Sequence, residues 1–212
     1  MNRVLIILML IFLIGCKDSR DSDNINSHFK KTDSAKLIID DDANTDTLYL
    51  DTIKSIIKWK GTKLMHTGQH EGTVNFKEGQ MLFSDENLVG GQFVVDMQSI
   101  YNTDIPKNDP VPRKNLTDHL NKDFETNLFA TASFTMTNVE KVNSELYNIS
   151  GDMIIKGVSR SIAITMEEIK KEKEYFSEFS INRSLWGIGD RGSWLEKKLV
   201  DDDFVLKIQI VL

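Results

Sequence analysis

One cysteine, Cys16, and three prolines, all between Pro106 and Pro112, are few for a chain of 212 residues, and each scarcity closes off a class of protein. A single Cys excludes a disulfide framework within the chain. Prolines confined to one stretch leave the rest free for regular structure. No apolar run approaches the roughly 20 residues that a membrane-spanning helix needs. The 26 Lys and Arg are outnumbered by 32 Asp and Glu and gather on no basic face, so nucleic acid is not an expected partner. A Gly-x-Ser-x-Gly elbow, a phosphate-binding Gly loop and a Glu-rich metal cluster are missing, and no spacing of Ser, His and Asp singles out a triad. Neither catalysis nor a cofactor is expected.

What is present starts at the N-terminus. Arg3 supplies a short basic start, and Val4 to Ile14 is an unbroken apolar run of eleven residues. That length suits the hydrophobic region of a signal peptide and is too short to span a bilayer. Leu13-Ile14-Gly15-Cys16 resembles the lipobox of bacterial lipoproteins, which implies cleavage before Cys16 and acylation of its thiol. An ordinary secretory signal with a chance Cys is the alternative, and the small Gly15 beside the lone Cys speaks against it. Loss of residues 1–15 removes Arg3, so a net charge of −6 becomes −7. One acyl chain holds a protein only marginally, whereas two or three make attachment lasting. Lys17 to Asp46, rich in Asp, Ser, Asn and Lys, lacks apolar periodicity apart from Leu37-Ile38-Ile39 and is expected to be a flexible acidic tether. About 30 such residues have an r.m.s. reach of roughly 30 Å.

From residue 47 to 212 the pattern is period two, the mark of strands buried on one face. Ile57 and Trp59 share a face, as do Val74 and Phe76; Lys77-Glu78-Gly79-Gln80 reads as a hairpin turn leading to Met81 and Phe83. Phe93, Val95 and Met97 follow, then Ala132, Phe134 and Met136. Tyr147, Ile149, Gly151, Met153 and Ile155 form another stripe, continued by Val158, Ile162, Ile164 and Met166. Phe204, Leu206, Ile208, Ile210 and Leu212 close the chain. About eight strands separated by turn signals predict a sandwich or an up-and-down barrel. The proline-bearing stretch Ile105 to Arg113 is expected to be an irregular loop, and Leu116 to Asn121 a short helix with Thr117 as a possible N-cap. Loop and helix serve either as a lid or as a plain connection.

Six motifs in order resemble the YceI-like family. They are Trp59-Lys60-Gly61-Thr62-Lys63 with His70-Glu71-Gly72-Thr73-Val74; Gly90-Gly91-Gln92-Phe93 with Asp96-Met97-Gln98-Ser99-Ile100; Asp118-His119-Leu120 with Asp123-Phe124; Ala132-Ser133-Phe134; Gly151-Asp152-Met153 with Ile155-Lys156-Gly157-Val158-Ser159; and Asn182-Arg183-Ser184-Leu185-Trp186-Gly187-Ile188-Gly189. The likeness runs from about Leu48 to Leu212. It departs from the family at Phe124-Glu125, where paired Phe is usual, at Leu128-Phe129, where Tyr-Pro is usual, and in a longer proline-rich insertion before the helix. The resemblance implies an all-β, eight-stranded antiparallel lipocalin-like barrel whose apolar interior holds a long isoprenoid or similar lipid. An eight-stranded barrel is wide enough for packed side chains or for one small ligand, so its stripes are either core or cavity wall.

Candidate cavity residues are Trp59, Val74, Phe76, Phe83, Phe93, Val95, Met97, Leu120, Phe124, Phe134, Met136, Ile149, Met153, Ile155, Ile164, Phe179, Trp186 and Ile208. The expected ligands are a polyisoprenoid, a quinone or a fatty-chain lipid. A solid barrel whose loops engage an envelope protein, or a second copy of the chain, is the competing expectation. His66 and His70 share a strand face beside Glu71, yet no complete ligand set is visible and no metal is expected. Arg183 either grips a phosphate head group or pairs internally with Asp190 or Asp96, the internal pair being favoured. Lys17 after Cys16 is compatible with sorting to the outer membrane, on its periplasmic face or its surface.

Overall fold

A run of inward-facing stripes needs a sheet that curls back on itself, and the computed structural model shows that closure. It describes residues 45–63, 68–169, 173–189 and 200–212. The expected signal peptide, the tether up to residue 44, Cys16, His66 and Asp190 lie outside the described residues. The strands are β1 (Thr45–Tyr49), β2 (Ile56–Lys63), β3 (Gln69–Ser84), β4 (Asn87–Asn102), β5 (Thr131–Lys141), β6 (Leu146–Ile155), β7 (Val158–Ile169), β8 (Glu174–Asn182) and β9 (Val200–Val211), with helix α1 (Pro110–Phe124) between β4 and β5. All pairings are antiparallel, and β2 to β9 close a ring in which β2 meets both β3 and β9. β1 pairs with the last part of β3 and β2 with its first part, so these two segments together make one stave of an eight-stave, lipocalin-like barrel.

Two hairpin turns are left-handed at both central residues, the geometry that matches strand twist. Lys156 and Gly157 link β6 to β7, and Asp85 and Glu86 link β3 to β4. The turn expected at Lys77–Gln80 does not form: β3 runs straight through it. Gly79 is there for closeness, since a Cβ would stand 2.7 Å from the Phe93 ring and 3.2 Å from Leu50. Gly72 is tighter still. A Cβ there would meet the Tyr101 carbonyl oxygen at 1.9 Å and the Trp59 ring at 2.6 Å.

The β3–β4 ladder shifts sharply between Thr73↔Tyr101 and Asn75↔Asp96. Ser99 fills the gap: its hydroxyl accepts the Asn75 N–H at 2.8 Å and donates to the Asp96 carbonyl at 2.6 Å. A regular strand would send residues an odd number apart to opposite faces. This bulge instead lets Met97 and Ile100 both face inward.

The proline segment corrects the expected loop. Pro110 and Pro112 lie in the first turn of α1, where the missing N–H groups would have had no helical partner anyway. The helix is accordingly longer than the expected Leu116–Asn121, and Thr117 sits in its middle, not at its N-cap. The Thr117 hydroxyl donates to the Arg113 carbonyl and accepts from buried Asn102 of β4, tying α1 to the barrel at 3.0 and 3.1 Å. Arg113 adds hydrogen bonds to the Tyr101 hydroxyl and the Ile105 carbonyl, with its guanidinium over the Tyr101 ring.

Candidate ligand cavity

Strand direction sorts the interior into two halves. The far half, toward the β3–β4 turn, is solid. Met81, Tyr147 and Tyr175 are almost fully buried there, with Phe83 packed 6.5 Å from the Tyr175 ring. Burial and the adjacent Glu168 carboxylate push the Tyr147 phenol up to about 12, and burial raises Tyr175 further. Tyr147 donates to Glu168 at 3.0 Å.

The half beneath α1 is hollow, with a cavity of ≈ 350 Å³ and almost wholly apolar walls. Neighbouring staves supply its wall as the sheet pattern requires: Ile57 and Trp59 from β2, Val74 and Phe76 from β3, and Phe204, Leu206, Ile208 and Ile210 from β9. Leu116, Leu120 and Phe124 of α1 close over it, and Phe124 meets Phe204 with ring centroids 6.1 Å apart. The Trp59 ring is held by its indole N–H, which donates to the Thr73 carbonyl at 3.3 Å.

Fourteen of the expected wall residues line this cavity: Trp59, Val74, Phe76, Phe93, Val95, Met97, Leu120, Phe124, Phe134, Met153, Ile155, Ile164, Phe179 and Ile208. Four do not. Phe83, Met136 and Ile149 face inward, but too near the filled end to meet the hollow; Gly91 lets Met136 approach within 3.3 Å of where a Cβ would be. Trp186 belongs to a 3-10 turn, Arg183–Trp186, capped by the Asn182 side chain, and its indole donates to the Met153 carbonyl at 3.3 Å.

That turn has a structural task. β7 and β8 share a ladder only at residues 167–169 and 174–176, and toward the mouth they are joined by side chains. Ser177 donates to the Thr165 carbonyl at 2.6 Å, and Arg160 and Lys156 donate to the Leu185 and Gly187 carbonyls at 3.0 and 2.6 Å. Lys156 also pairs with Glu125 just beyond α1 at 2.9 Å, both side chains about a tenth exposed.

Among the described residues, the charged groups that line the cavity gather at the mouth. His119 and Asp123 pair at 3.3 Å on α1, and His70 and Asp104 at 2.7 Å across the barrel rim. Thr62 donates to Asp201 at 3.3 Å. Buried Arg183 donates to the Asp201 carbonyl at 3.2 Å and stands 3.6 Å from the Asp202 carboxylate. Asp96, one of its expected partners, instead accepts the Gln98 N–H at 3.0 Å. Sequence reasoning missed most of this rim, because isolated polar residues far apart in the chain carry no period to mark them. Among the described residues no group of three His, Cys, Asp or Glu is placed to hold a metal ion, and no helix is long and apolar enough to cross a membrane.

A closed antiparallel barrel, solid at one end and hollow under a helix at the other, is the calyx of lipocalin-like proteins. The profile of the YceI-like domain matches residues 48–212, and the chain belongs to that family. A search of the curated proteins found no match. Among solved structures, BcnA of Burkholderia cenocepacia superposes with a TM-score of 0.63 at 20% identity, over 77% of this chain and 99% of BcnA. The Campylobacter jejuni YCEI protein gives 0.50 at 20% identity, over 66% of this chain and 82% of that one. At such identities the likeness is one of fold.

Proposed function

We propose that this barrel binds, stores or carries an isoprenoid or other long-chain amphiphile, with the apolar chain in the hollow and the polar head at the rim. The observation that supports it most is the cavity itself. A side-chain-filled interior was the alternative for an eight-stranded barrel, and here apolar walls enclose ≈ 350 Å³ beneath a helix. Such walls gain about 25 cal/mol for each Å² of hydrocarbon taken out of water. The role is sequestration, without chemistry on the cargo.

The N-terminal sequence extends the proposal to place. Acylated Cys16 anchors the protein in a bacterial envelope, at the outer membrane, and residues 17–44 tether the barrel to it. Thr45, the first residue of β1, pairs with Ser84 at the filled end of the barrel. Metabolic labelling with a radioactive fatty acid tests the anchor: label in the native protein and none in Cys16→Ser is expected, and equal label in both contradicts it.

Trp59 offers a direct test of the cavity. A polyene fatty chain bound in the hollow lies against this indole and accepts its emission. Saturable quenching near one ligand per protein is expected, and its amplitude should fall but not vanish in Trp59→Phe, because Trp186 and Trp194 remain. Quenching of unchanged amplitude in that variant would place the ligand elsewhere.

A further inference from the structure

The charge of the rim bears on which amphiphiles the hollow accepts, an inference that rests on the carrier reading above. Asp123 and Asp201 line the cavity, and Asp104 and Asp202 stand directly behind His70 and Arg183. Against these four carboxylates, Arg183 is the one permanently charged cation lining the hollow among the described residues, and it is already engaged by Asp202 and the Asp201 carbonyl. The C-terminal end of α1 carries the negative pole of the helix, and Asp123 and Phe124 of its last turn face the cavity, whereas Lys122 of that turn does not line it. Lys156, which does not line the cavity, is paired with Glu125.

An anionic head drawn to this rim meets like charge in a partly dehydrated setting, where the effective dielectric is well below that of water. An uncharged head finds acceptors in the Asp carboxylates and donors or acceptors in Thr62 and the His rings. We infer that the site selects amphiphiles with an uncharged or cationic head, such as an alcohol, a ketone ring or an amine, and discriminates against phosphate and carboxylate heads on the same chain.

Three ligands with one C10 tail, short enough for the hollow, test this: geraniol, geranylamine and geranyl phosphate, each kept below its aggregation threshold and titrated by displacement of an apolar fluorescent probe. At low ionic strength the alcohol and the amine bind at least about tenfold tighter than the phosphate. The gap narrows in roughly 0.5 M salt, as screening requires. In the Asp123→Asn, Asp201→Asn double variant the gap falls by about threefold or more. Phosphate binding as tightly as the alcohol in the native protein overturns the inference, as does a gap unmoved by the double substitution. If none of the three displaces the probe, the carrier reading falls, and this inference with it.

Discussion

A hollow of fixed size sets a limit on how much chain it can bury, and that limit can be moved by design. At ~30 Å³ for a water-sized group, ≈ 350 Å³ holds about twelve methylenes. Each buried methylene contributes about 0.8 kcal/mol, or roughly a fourfold gain in affinity. Affinity in a series of n-alkanols should therefore climb about fourfold per carbon and level off near twelve carbons. Ala132 faces the cavity from β5, opposite Val95 of β4. Ala132→Leu inserts three more carbons into the space, so the plateau should shift to about nine and the longest alkanols lose about 2.4 kcal/mol, roughly 50-fold. Probe displacement across C6 to C16 alkanols measures both limits, and thermal unfolding checks that the variant is folded. A slope that continues unchanged to sixteen carbons, or a folded Ala132→Leu with the native limit, would refute the reasoning.

Two further outcomes follow from the buried polar groups. Lys156→Met removes the partner that holds Glu125 in a largely buried pair, and urea unfolding should show a loss of about 3 kcal/mol; a loss below about 0.5 kcal/mol would mean the pair is solvated. The Tyr147 phenol is pushed up to about 12 from 10.0, so its protonated form is favoured by folding. That contribution is complete below pH 10 and fades as pH rises through 12. Phenolate absorbance should show this residue titrating late, and Tyr147→Phe should flatten the fall in stability between those values. A native protein whose stability is level across that range contradicts the assignment.

Period two made the staves legible, because burial on one face of a strand leaves an alternating trace whatever the strand's neighbours. Phe204, Leu206, Ile208 and Ile210 could be aligned on one face from spacing alone, and all four line the cavity. Spacing does not report height within a barrel, however. Phe83, Met136 and Ile149 alternate as faithfully as Phe76 and Phe134, yet meet packed side chains in place of a void. Glycine and proline misled for a related reason, since each has two uses. From sequence Gly79 reads as a turn residue, but in the fold it leaves room beside Phe93, and Pro110 and Pro112 read as loop residues but open α1. The rim, assembled from four separate parts of the chain, had no local pattern to be read.

The most direct test of the central claim uses residues 17–212, made without the signal peptide and Cys16 and purified without detergent, extracted with organic solvent and analysed by mass spectrometry. Carriage predicts a long-chain amphiphile at close to one per protein, absent from a matched extract of an unrelated protein. An empty extract, together with failure of the same protein to take up added polyprenyl or fatty-chain lipids, would contradict it.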